Sequence, residues 1–388
     1  MSTASVNNMF TLYYQPKIDM QTKKTHAAEA LIRLTRNGEL ISPNHFIPQA
    51  EKDGSIIEID KWVLRRIPDD ARKIFTKTFE EEIRISFNIS ASYFDKDGFY
   101  EDVISTLNHT KDFHSLFEIE ITESALIGNK QNAIDTINRL REDGLRFALD
   151  DFGTGYASLK LFKELPLDTI KIDKLFVDGM VGDKKTNAIV DSIMYLAKKL
   201  DMKTVAEGVE QVEQVEQLAN MNCDEIQGYF YSKPLRLDDF ILFVNSVNNP
   251  PKKNRFIYWS NEYSSGLFAF DSHHIILINL MNTLYDVLQD ENLRKESKTW
   301  KYIEIVGNFV SVHFESEEKY MVKYNYPKTK EHIMEHRKFV DDFQNLKSSL
   351  IARDERNFFI LFDMLKEWFI QHELKADKEL VHYVKNKF

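Results

Sequence analysis

Two sets of side chains in this sequence have types and spacings suited to chemistry. The first closes a series of short β-rich segments: Glu29 in AAEALIR, Asn88 in ISFNIS, Glu120 in FEIEITES, Asp150 and Asp151 in RFALDDFGTG, Lys171 and Asp173 in TIKID, Glu207 in TVAEGVE and Gln227 in EIQGYF. Carboxylates gathered in one place repel and raise one another's pKa, and hard cations relieve that repulsion. Oxygen donors with a single amide suit Mg²⁺ or Mn²⁺ better than zinc, which prefers nitrogen and sulfur. Adjacent Asp150 and Asp151 can serve two ions, one carboxylate bridging. Paired ions polarise a phosphoryl oxygen and acidify a bound water. Lys171 could hold that water or stabilise the charge developing at phosphorus. Taken singly, an acid after a strand is an ordinary helix cap or turn residue. The chemistry rests on the set.

The second set lies in the last third of the chain, which holds seven of the 11 histidines. His313 and Glu317 are four apart, as are His332 and His336. Residues at i and i+4 share a helix face, so each pair can bind from one side. His372 and Asp377 are five apart, a spacing that works where a helix end lets the carboxylate swing inward. His274 lies in FAFDSHHIILINL. Five histidines and two carboxylates drawn from four helices suit two iron ions, since imidazole binds iron and carboxylates can bridge two metals. Seven protein ligands plus an oxo or hydroxo bridge leave one position open for a small molecule such as O₂. A lone histidine on a helix is more often a core or surface residue; two i,i+4 pairs with three further ligands in order leave that reading little room.

The elements that must position these residues differ between the two parts. Up to about residue 245, β-rich segments alternate with helical ones. The strands are expected at Thr25–Leu34, Ile83–Ser90, Phe117–Thr122, Arg146–Asp151, Thr169–Asp173, Lys203–Val209 and Glu225–Tyr231. Helices are expected at Asn132–Glu142, Thr186–Leu200 and Val212–Met221, where apolar residues recur at three and four. Such alternation means a largely parallel sheet, and over this length a closed (β/α) barrel. A barrel gathers strand ends at one mouth, where active sites of this architecture lie. The texture changes at NNPPKKN, 248–254, read as part of a linker over 246–256. Beyond it only Gly266 and Gly307 of the 13 glycines and Pro327 of the nine prolines remain. The rest, 257–388, reads as helices His274–Gln289, Lys301–Lys323, Pro327–Leu350 and Asn357–His372 with a short tail, a four-helix bundle able to hold a metal site between facing helices.

Composition bounds the remaining classes. The chain has 388 residues, 43% hydrophobic and 29% charged, an ordinary globular balance for two or three domains. A net charge of -10 disfavours broad attraction to polymeric nucleic acid or an anionic bilayer. The lone Cys223 excludes an intrachain disulfide and reads as a buried small hydrophobe. No signal peptide and no apolar run long enough to span a membrane is seen, which points to the cytoplasm.

The segments YYQPKID, EALIR, FNIS, EITES, DDFGTGYASLK, DTIKIDKLFV, TVAEGVE and QGYFYSKPL resemble the EAL phosphodiesterase family in order and spacing, over residues 9–243. The resemblance implies a modified TIM barrel that cleaves cyclic di-GMP to linear pGpG with two Mg²⁺ or Mn²⁺ ions. By motif position it implies metal-site roles for Glu29, Asn88, Glu120, Asp150, Asp151 and Glu207, the last either directly or through metal-bound water. Glu29 and Glu207 count with Lys171 and Gln227 as catalytic, the latter two orienting the attacking water. Gln15 and Arg33 would contact substrate. Glu123 and Glu210 would brace the loop after Asp151, whose glycines make it the element expected to move. No expected catalytic position is replaced. Related EAL domains imply a homodimer.

The segments YSSGLFAFDSHH, HFESEEKYM, YPKTKEHIMEH and WFIQHELKAD resemble the hemerythrin family in its bacterial style, over residues 257–388. The resemblance implies di-iron ligation by His274, His313, Glu317, His332, His336, His372 and Asp377, with O₂, or NO, as the small ligand. His273 stands where glutamine is frequent, and Trp259 and His382 read as structural. Three readings of the whole follow: a phosphodiesterase regulated by O₂ or redox state through the di-iron domain, a silent cyclic di-GMP receptor, and an active enzyme beside an uncoupled iron or oxygen store. Loss of an acidic ligand or of the lysine would mark the second, and none is lost. Fusion to a signalling enzyme favours the first over the third.

Overall fold

Period-two alternation sends Leu12 and Tyr14 of strand β1 (Phe10–Asp19) to one side and Gln15 and Lys17 to the other. The same rule places Glu29 on β2 (Thr25–Arg36), Ser86 and Asn88 on β4 (Arg84–Asn88), Glu118 and Glu120 on β5 (Phe117–Thr122) and Lys171 on β7 (Thr169–Ile172). A short β3 (Glu39–Ile41) extends β2 outward. The remaining strands are β6 (Arg146–Phe152), β8 (Lys203–Ala206), β9 (Glu225–Ile226) and β10 (Leu235–Arg236). Strands β2, β4, β5, β6, β7, β8 and β9 run parallel in that order, and β1, antiparallel to both β2 and β9, closes an eight-stranded barrel. The one antiparallel strand is the modification of the ordinary TIM barrel.

The computed structural model describes residues 9–36, 38–78, 82–126, 130–152, 164–249, 256–290, 298–351, 356–373 and 375–386. The chain divides into two compact units. The first holds the barrel, with helices α1 (Ile56–Lys77), α2 (Phe99–Leu107), α3 (Lys130–Glu142) and α4 (Lys184–Lys199). Helix α1 buries Ile59, Trp62, Val63, Ile67, Ala71 and Ile74 along one stripe. Strand β1 carries Pro16, which lacks an N–H for a ladder. It is tolerated because the edge of β1 opposite β2 pairs only at Tyr13 and Tyr14 with β10 and at Ile18 and Asp19 with β9.

The barrel interior below the mouth is polar. The guanidinium of Arg84 donates to both Glu225 oxygens, at 2.9 and 2.7 Å, and its Nε is 3.3 Å from Glu118. Thr169 donates to Glu118 at 2.6 Å, and Lys203 lies 3.5 Å from Glu225. Cys223 is buried and free, its thiol pushed up to about 12 by burial.

The second unit comprises Glu210–Asn220, Tyr229–Ser232 and Leu242–Phe388. It contains α5 (Val212–Asn220), the C-terminal part of α6 (Leu237–Asn248), and helices α7 (Phe268–Gln289), α8 (Lys298–Lys323), α9 (Thr329–Ile351), α10 (Arg356–Trp368) and α11 (Ala376–Lys385). Helix α7 buries residues on every face, Ala269, Phe270, Ile276, Leu277, Ile278 and Leu280 among them, as a central helix must. Helix α5 belongs with it through Glu216, which accepts from the Ala269 N–H at 2.7 Å, and Glu213, 2.7 Å from Lys323. The tail expected after the bundle is the helix α11, set off by a π-helical turn at Phe369–Glu373. The linker residues 250–255 lie outside the described residues. Among the described residues no helix is long and apolar enough to cross a membrane.

Removing one partner of a buried ion network strands the others. Arg84→Ala is therefore expected to cost about 3–5 kcal/mol of stability by leaving buried Glu118 and Glu225 with only the more distant Lys17 and Lys203, read as a lower urea midpoint of the barrel transition in the full chain.

Candidate functional site

Parallel strands in register bring the first set together. Asn88 pairs with Glu120 and Glu29 with Ser86. The amide of Asn88 donates to Glu29 at 2.8 Å and to Glu120 at 3.3 Å. Lys171, one per cent exposed, has its Nζ 2.5 Å from Glu120, 2.6 Å from Glu207, 3.1 Å from Asp150 and 3.7 Å from Glu29. Gln227 donates through Nε2 to Glu29 at 2.7 Å and to Gln15 at 3.1 Å. Its Oε1 is buried and makes no hydrogen bond. Arg33 lies on the same face of β2 as Glu29, four residues on. Its guanidinium rests 5.7 Å from the Tyr13 ring centroid and donates to the Ile32 carbonyl at 2.9 Å.

Asp151 follows Asp150 at the strand end with a φ of 54°, a left-handed conformation uncommon for a residue other than glycine. Its N–H donates to the Asp150 carboxylate at 3.0 Å. The loop expected to move after Asp151 falls largely within 153–163, outside the described residues. Of the two residues expected to brace it, Glu123 is buried at the start of a 3-10 turn, Glu123–Leu126, and Glu210 donates its N–H to the Gln214 side chain at 2.8 Å.

The electrostatics sort the acids. Burial alone would raise Glu120, but the ammonium groups of Lys17 and Lys171 outweigh it and hold the carboxyl well below the usual range. Burial, reinforced by Glu120, pushes Glu29 up to about 7, and burial raises Glu207 well above its ordinary value. Asp151 is pushed up to about 6 by burial of its carboxyl and by Asp150. Burial opposes the charge on Lys171, yet Asp150, Glu120 and Glu207 hold it protonated. Acids raised in this way are what a cation would relieve, and the donors are oxygens alone, as Mg²⁺ or Mn²⁺ require.

Lys17 was not among the residues singled out from sequence. Its Nζ donates to Glu120 at 2.9 Å and to Ser86 at 2.7 Å. The signal was its register: Lys17 is two residues beyond Gln15 on the interior face of β1.

In the second unit all seven expected ligands are buried and form two overlapping clusters, Glu317 with His332, His336 and His372, and Glu317 with His274, His313 and Asp377. Glu317 belongs to both. Its Oε1 is 3.4 Å from His313 Nε2, and its Oε2 is 3.2 Å from His336 Nε2 and 3.8 Å from His332 Nε2. Asp377 reaches His274 at 3.7 Å, His332 at 3.5 Å and His372 at 3.9 Å. His332 Nε2 is buried and makes no hydrogen bond. His336 Nε2 and His372 Nε2 face each other at 3.1 Å. Nitrogens and carboxylates converging on one dry volume are the donor set of a metal pair, so the residues present fit it.

Carboxylates on the far side orient two of these rings. Glu318 takes His336 Nδ1 at 3.1 Å and Glu335 takes His372 Nδ1 at 2.9 Å, leaving each Nε2 for the centre. The π-helical turn carrying His372 is a common device at functional sites, and Asp377 sits in the first turn of α11. His273, beside His274, contacts His313 rather than the centre: its Nδ1 is 3.2 Å from His313 Nδ1 and its Nε2 2.7 Å from the Phe230 carbonyl. Burial, with His313 adding, keeps its pKa well below the ordinary value. Neither Glu318, Glu335 nor His273 has a spacing that marks it from sequence. Trp259 lies 6.4 Å from His274, ring to ring, and the ring of His382 reaches Asn386 at the surface.

A parallel barrel with an acid-and-lysine mouth, joined to a helical bundle with a nitrogen-rich carboxylate centre, defines a protein with two distinct metal-binding domains. The chain belongs to the EAL domain family, whose model matches residues 1–234, and it carries a hemerythrin HHE cation binding domain at 265–384. The cyclic di-GMP phosphodiesterase NbdA of Pseudomonas aeruginosa is 36% identical over 252 residues, 64% of this chain and 32% of that protein. The signaling protein YkoW of Bacillus subtilis is 36% identical over 239 residues, 61% of this chain and 30% of that one. The chain thus spans about a third of the length of these relatives. Among solved structures, the c-di-GMP complex of the PaMucR phosphodiesterase matches with a TM-score of 0.58 at 32% identity, covering 61% of this chain and 96% of that one. The EAL enzyme Bd1971 bound to cAMP and cyclic-di-GMP matches with a TM-score of 0.59 at 32% identity, covering 62% and 66%.

A carboxyl that titrates near 7 must lose its proton to hold a cation. The folded, metal-free chain binds more protons at Glu29 than the unfolded chain between about pH 4.5 and 7. Its stability therefore falls as pH rises through that window. Mn²⁺ affinity of the metal-free barrel is expected to rise steeply from pH 6 to 8, with protons released on binding. Glu29→Gln should flatten both, read by calorimetry in buffers of different ionisation enthalpy.

Proposed function

We propose that the chain hydrolyses cyclic di-GMP to linear pGpG with Mg²⁺ or Mn²⁺ in the barrel, and that O₂, NO or redox chemistry at two iron ions in the bundle sets the rate. The observation that carries the first half is Lys171, its Nζ within 3.7 Å of Glu29, Glu120, Asp150 and Glu207 at the barrel mouth. An ammonium among carboxylates that outnumber it leaves net negative charge for divalent cations. Once bound, two such cations supply charge neutralisation at the phosphoryl oxygens and a water acidified toward hydroxide.

The chain's own residues do the rest. Glu29, Asn88, Glu120, Asp150 and Asp151 hold the cations, and Glu207 holds one directly or through water. Lys171 orients the attacking water and donates toward charge building at phosphorus. Gln227, anchored by two donated hydrogen bonds, presents its buried Oε1 as an acceptor for that water. Arg33 offers a planar fork to a substrate phosphate, and Gln15 a polar contact beside Gln227. Glu123 and Glu210 brace the loop after Asp151.

In the bundle, His274, His313, Glu317, His332, His336, His372 and Asp377 hold two irons. The convergence of their buried ligand atoms supports the count. Held by these seven donors, the irons would supply the chemistry to bind O₂ or NO. The same reading takes the chain as cytoplasmic and as a homodimer. Exposed Leu175, Ile189 and Tyr195 supply apolar area for such pairing.

Purified full-length protein with Mn²⁺ is expected to convert cyclic di-GMP to pGpG. Glu29→Ala and Lys171→Ala should each lower turnover by about 100-fold or more. Absence of pGpG in every metal and iron state would reject the reading. Anaerobic reconstitution should give two irons per chain and a near-ultraviolet charge-transfer band on oxidation. His332→Ala should lose iron, His382→Ala should not, and a single iron in the parent chain would overturn the di-iron assignment.

A further inference from the structure

We propose that His273 is a positioning residue of the bundle centre: it fixes the ring of His313 and ties it to the main chain of the GYFY segment that follows Gln227. This rests on the di-iron reading above, which supplies the reason for His313 to need orienting.

The hydrogen-bond directions follow from one atom. The Phe230 carbonyl can only accept, so His273 Nε2, 2.7 Å away, carries a proton. In a neutral imidazole the other nitrogen is then an acceptor. That Nδ1 lies 3.2 Å from His313 Nδ1, so His313 donates there. His313 Nε2 is thereby left without a proton, and it faces Glu317 at 3.4 Å, on the side of the metal cluster. The tautomer of a ligating histidine is set by the bond its other nitrogen makes. His336 and His372 use the carboxylates Glu318 and Glu335 for this. His313 uses a second imidazole whose far end is backbone.

Packing holds that imidazole in place. The Phe230 ring stacks on His273 at 4.0 Å between centroids, and Tyr231 meets it edge-on at 5.4 Å. The Tyr231 hydroxyl and Ser272, the residue before His273, share a hydrogen bond of 2.7 Å. Phe230 is three residues beyond Gln227. The intervening Gly228 has no room for a side chain, since a Cβ there would sit 2.0 Å from the Val209 carbonyl oxygen. Val209 in turn follows Glu207 by two residues and donates its N–H to the Gln227 carbonyl at 3.1 Å. Greater positive charge at His313 Nε2 makes Nδ1–H a stronger donor to His273. The relay therefore ends on a stretch of backbone with little slack, three residues from an active-site amide.

The test uses the full-length protein, reconstituted with iron, as wild type, His273→Gln and His273→Leu. Glutamine can accept from His313 and donate to Phe230, so it keeps both ends of the relay; leucine keeps neither. Three quantities are read: the rate of iron loss to a chelator, the near-ultraviolet band of the oxidised centre, and the ratio of cyclic di-GMP turnover between di-ferrous and di-ferric protein. His273→Leu is expected to lose iron about 10–100-fold faster than wild type, to shift the band, and to bring the turnover ratio to unity. His273→Gln is expected to follow wild type in all three. If circular dichroism shows His273→Leu unfolded, His273→Met replaces it. Equal iron-loss rates in wild type and the apolar variant, or a glutamine variant that behaves like the apolar one, would overturn the assignment. A wild-type turnover ratio of unity would instead reject the regulatory reading, and iron loss and the band would still decide on His273.

Discussion

The ammonium of Lys171, buried between Glu120, Glu207, Asp150 and Glu29, is the constraint around which the barrel mouth is arranged. An isolated charge there would be far too costly to bury, and four carboxylates without it would repel one another or stay protonated. Each of the four comes from a different strand: β2, β5, β6, or the end of β8. Strand register, barrel closure and site chemistry are therefore one requirement. The antiparallel β1 adds a second ammonium, Lys17, from beneath Glu120. Lys17 at one oxygen of Glu120 and Lys171 at the other hold its carboxyl low, whereas burial raises Glu29 and Glu207. The acids left short of positive charge are those that a divalent ion would satisfy.

Much of this was legible in the sequence, and for definite reasons. β-rich segments carrying an acid or an amide marked β2, β4, β5, β6 and β7, and the i,i+4 pairs marked the bundle centre, because each pattern follows from local geometry alone. Strand β9 is shorter than its apolar run, since the chain leaves the sheet after Ile226 and packs Tyr229–Ser232 in the second unit. Strand β1 was recognised as a motif rather than as a strand, Pro16 being acceptable only where the facing edge is unpaired. Lys17, Glu318 and Glu335 went unmarked, and His273 was noted without a role, because their roles depend on partners between 18 and 103 residues away. No local period carries such information. The π-helical turn that delivers His372 while Asp377 opens the next helix is a backbone event with no composition signal of its own.

The two centres solve the same electrostatic problem with opposite donors. At the barrel mouth hard oxygens surround a lysine, the acids are balanced from within, and the site suits hydrated divalent ions that carry phosphate chemistry. In the bundle the compensation comes from outside the cluster. Glu318 and Glu335 accept from Nδ1 of His336 and His372, each Nε2 is turned inward, and the carboxylates of Glu317 and Asp377 stand among the inward nitrogens. A strand gives one inward side chain every second residue and spreads its donors around a ring. A helix gives a pair every fourth residue and concentrates nitrogens on a line. The first geometry sets its donors around the mouth of the barrel; the second encloses its donors in a buried cluster.

Both clusters are buried, and low local dielectric strengthens each hydrogen bond they contain. The segments that leave the barrel directly after Glu207 and Gln227, namely Glu210–Asn220 and Tyr229–Ser232, are the ones that pack with the bundle. Both active-site residues thus sit a few peptide bonds from backbone whose partners belong to the dry core. Each of those segments is held by one such partner: the Glu216 carboxylate accepts from the Ala269 N–H, and the Phe230 carbonyl accepts from His273. The chain passes between the two units directly after Val209 and Gly228, so this covalent continuity lies within a few residues of Glu207 and Gln227.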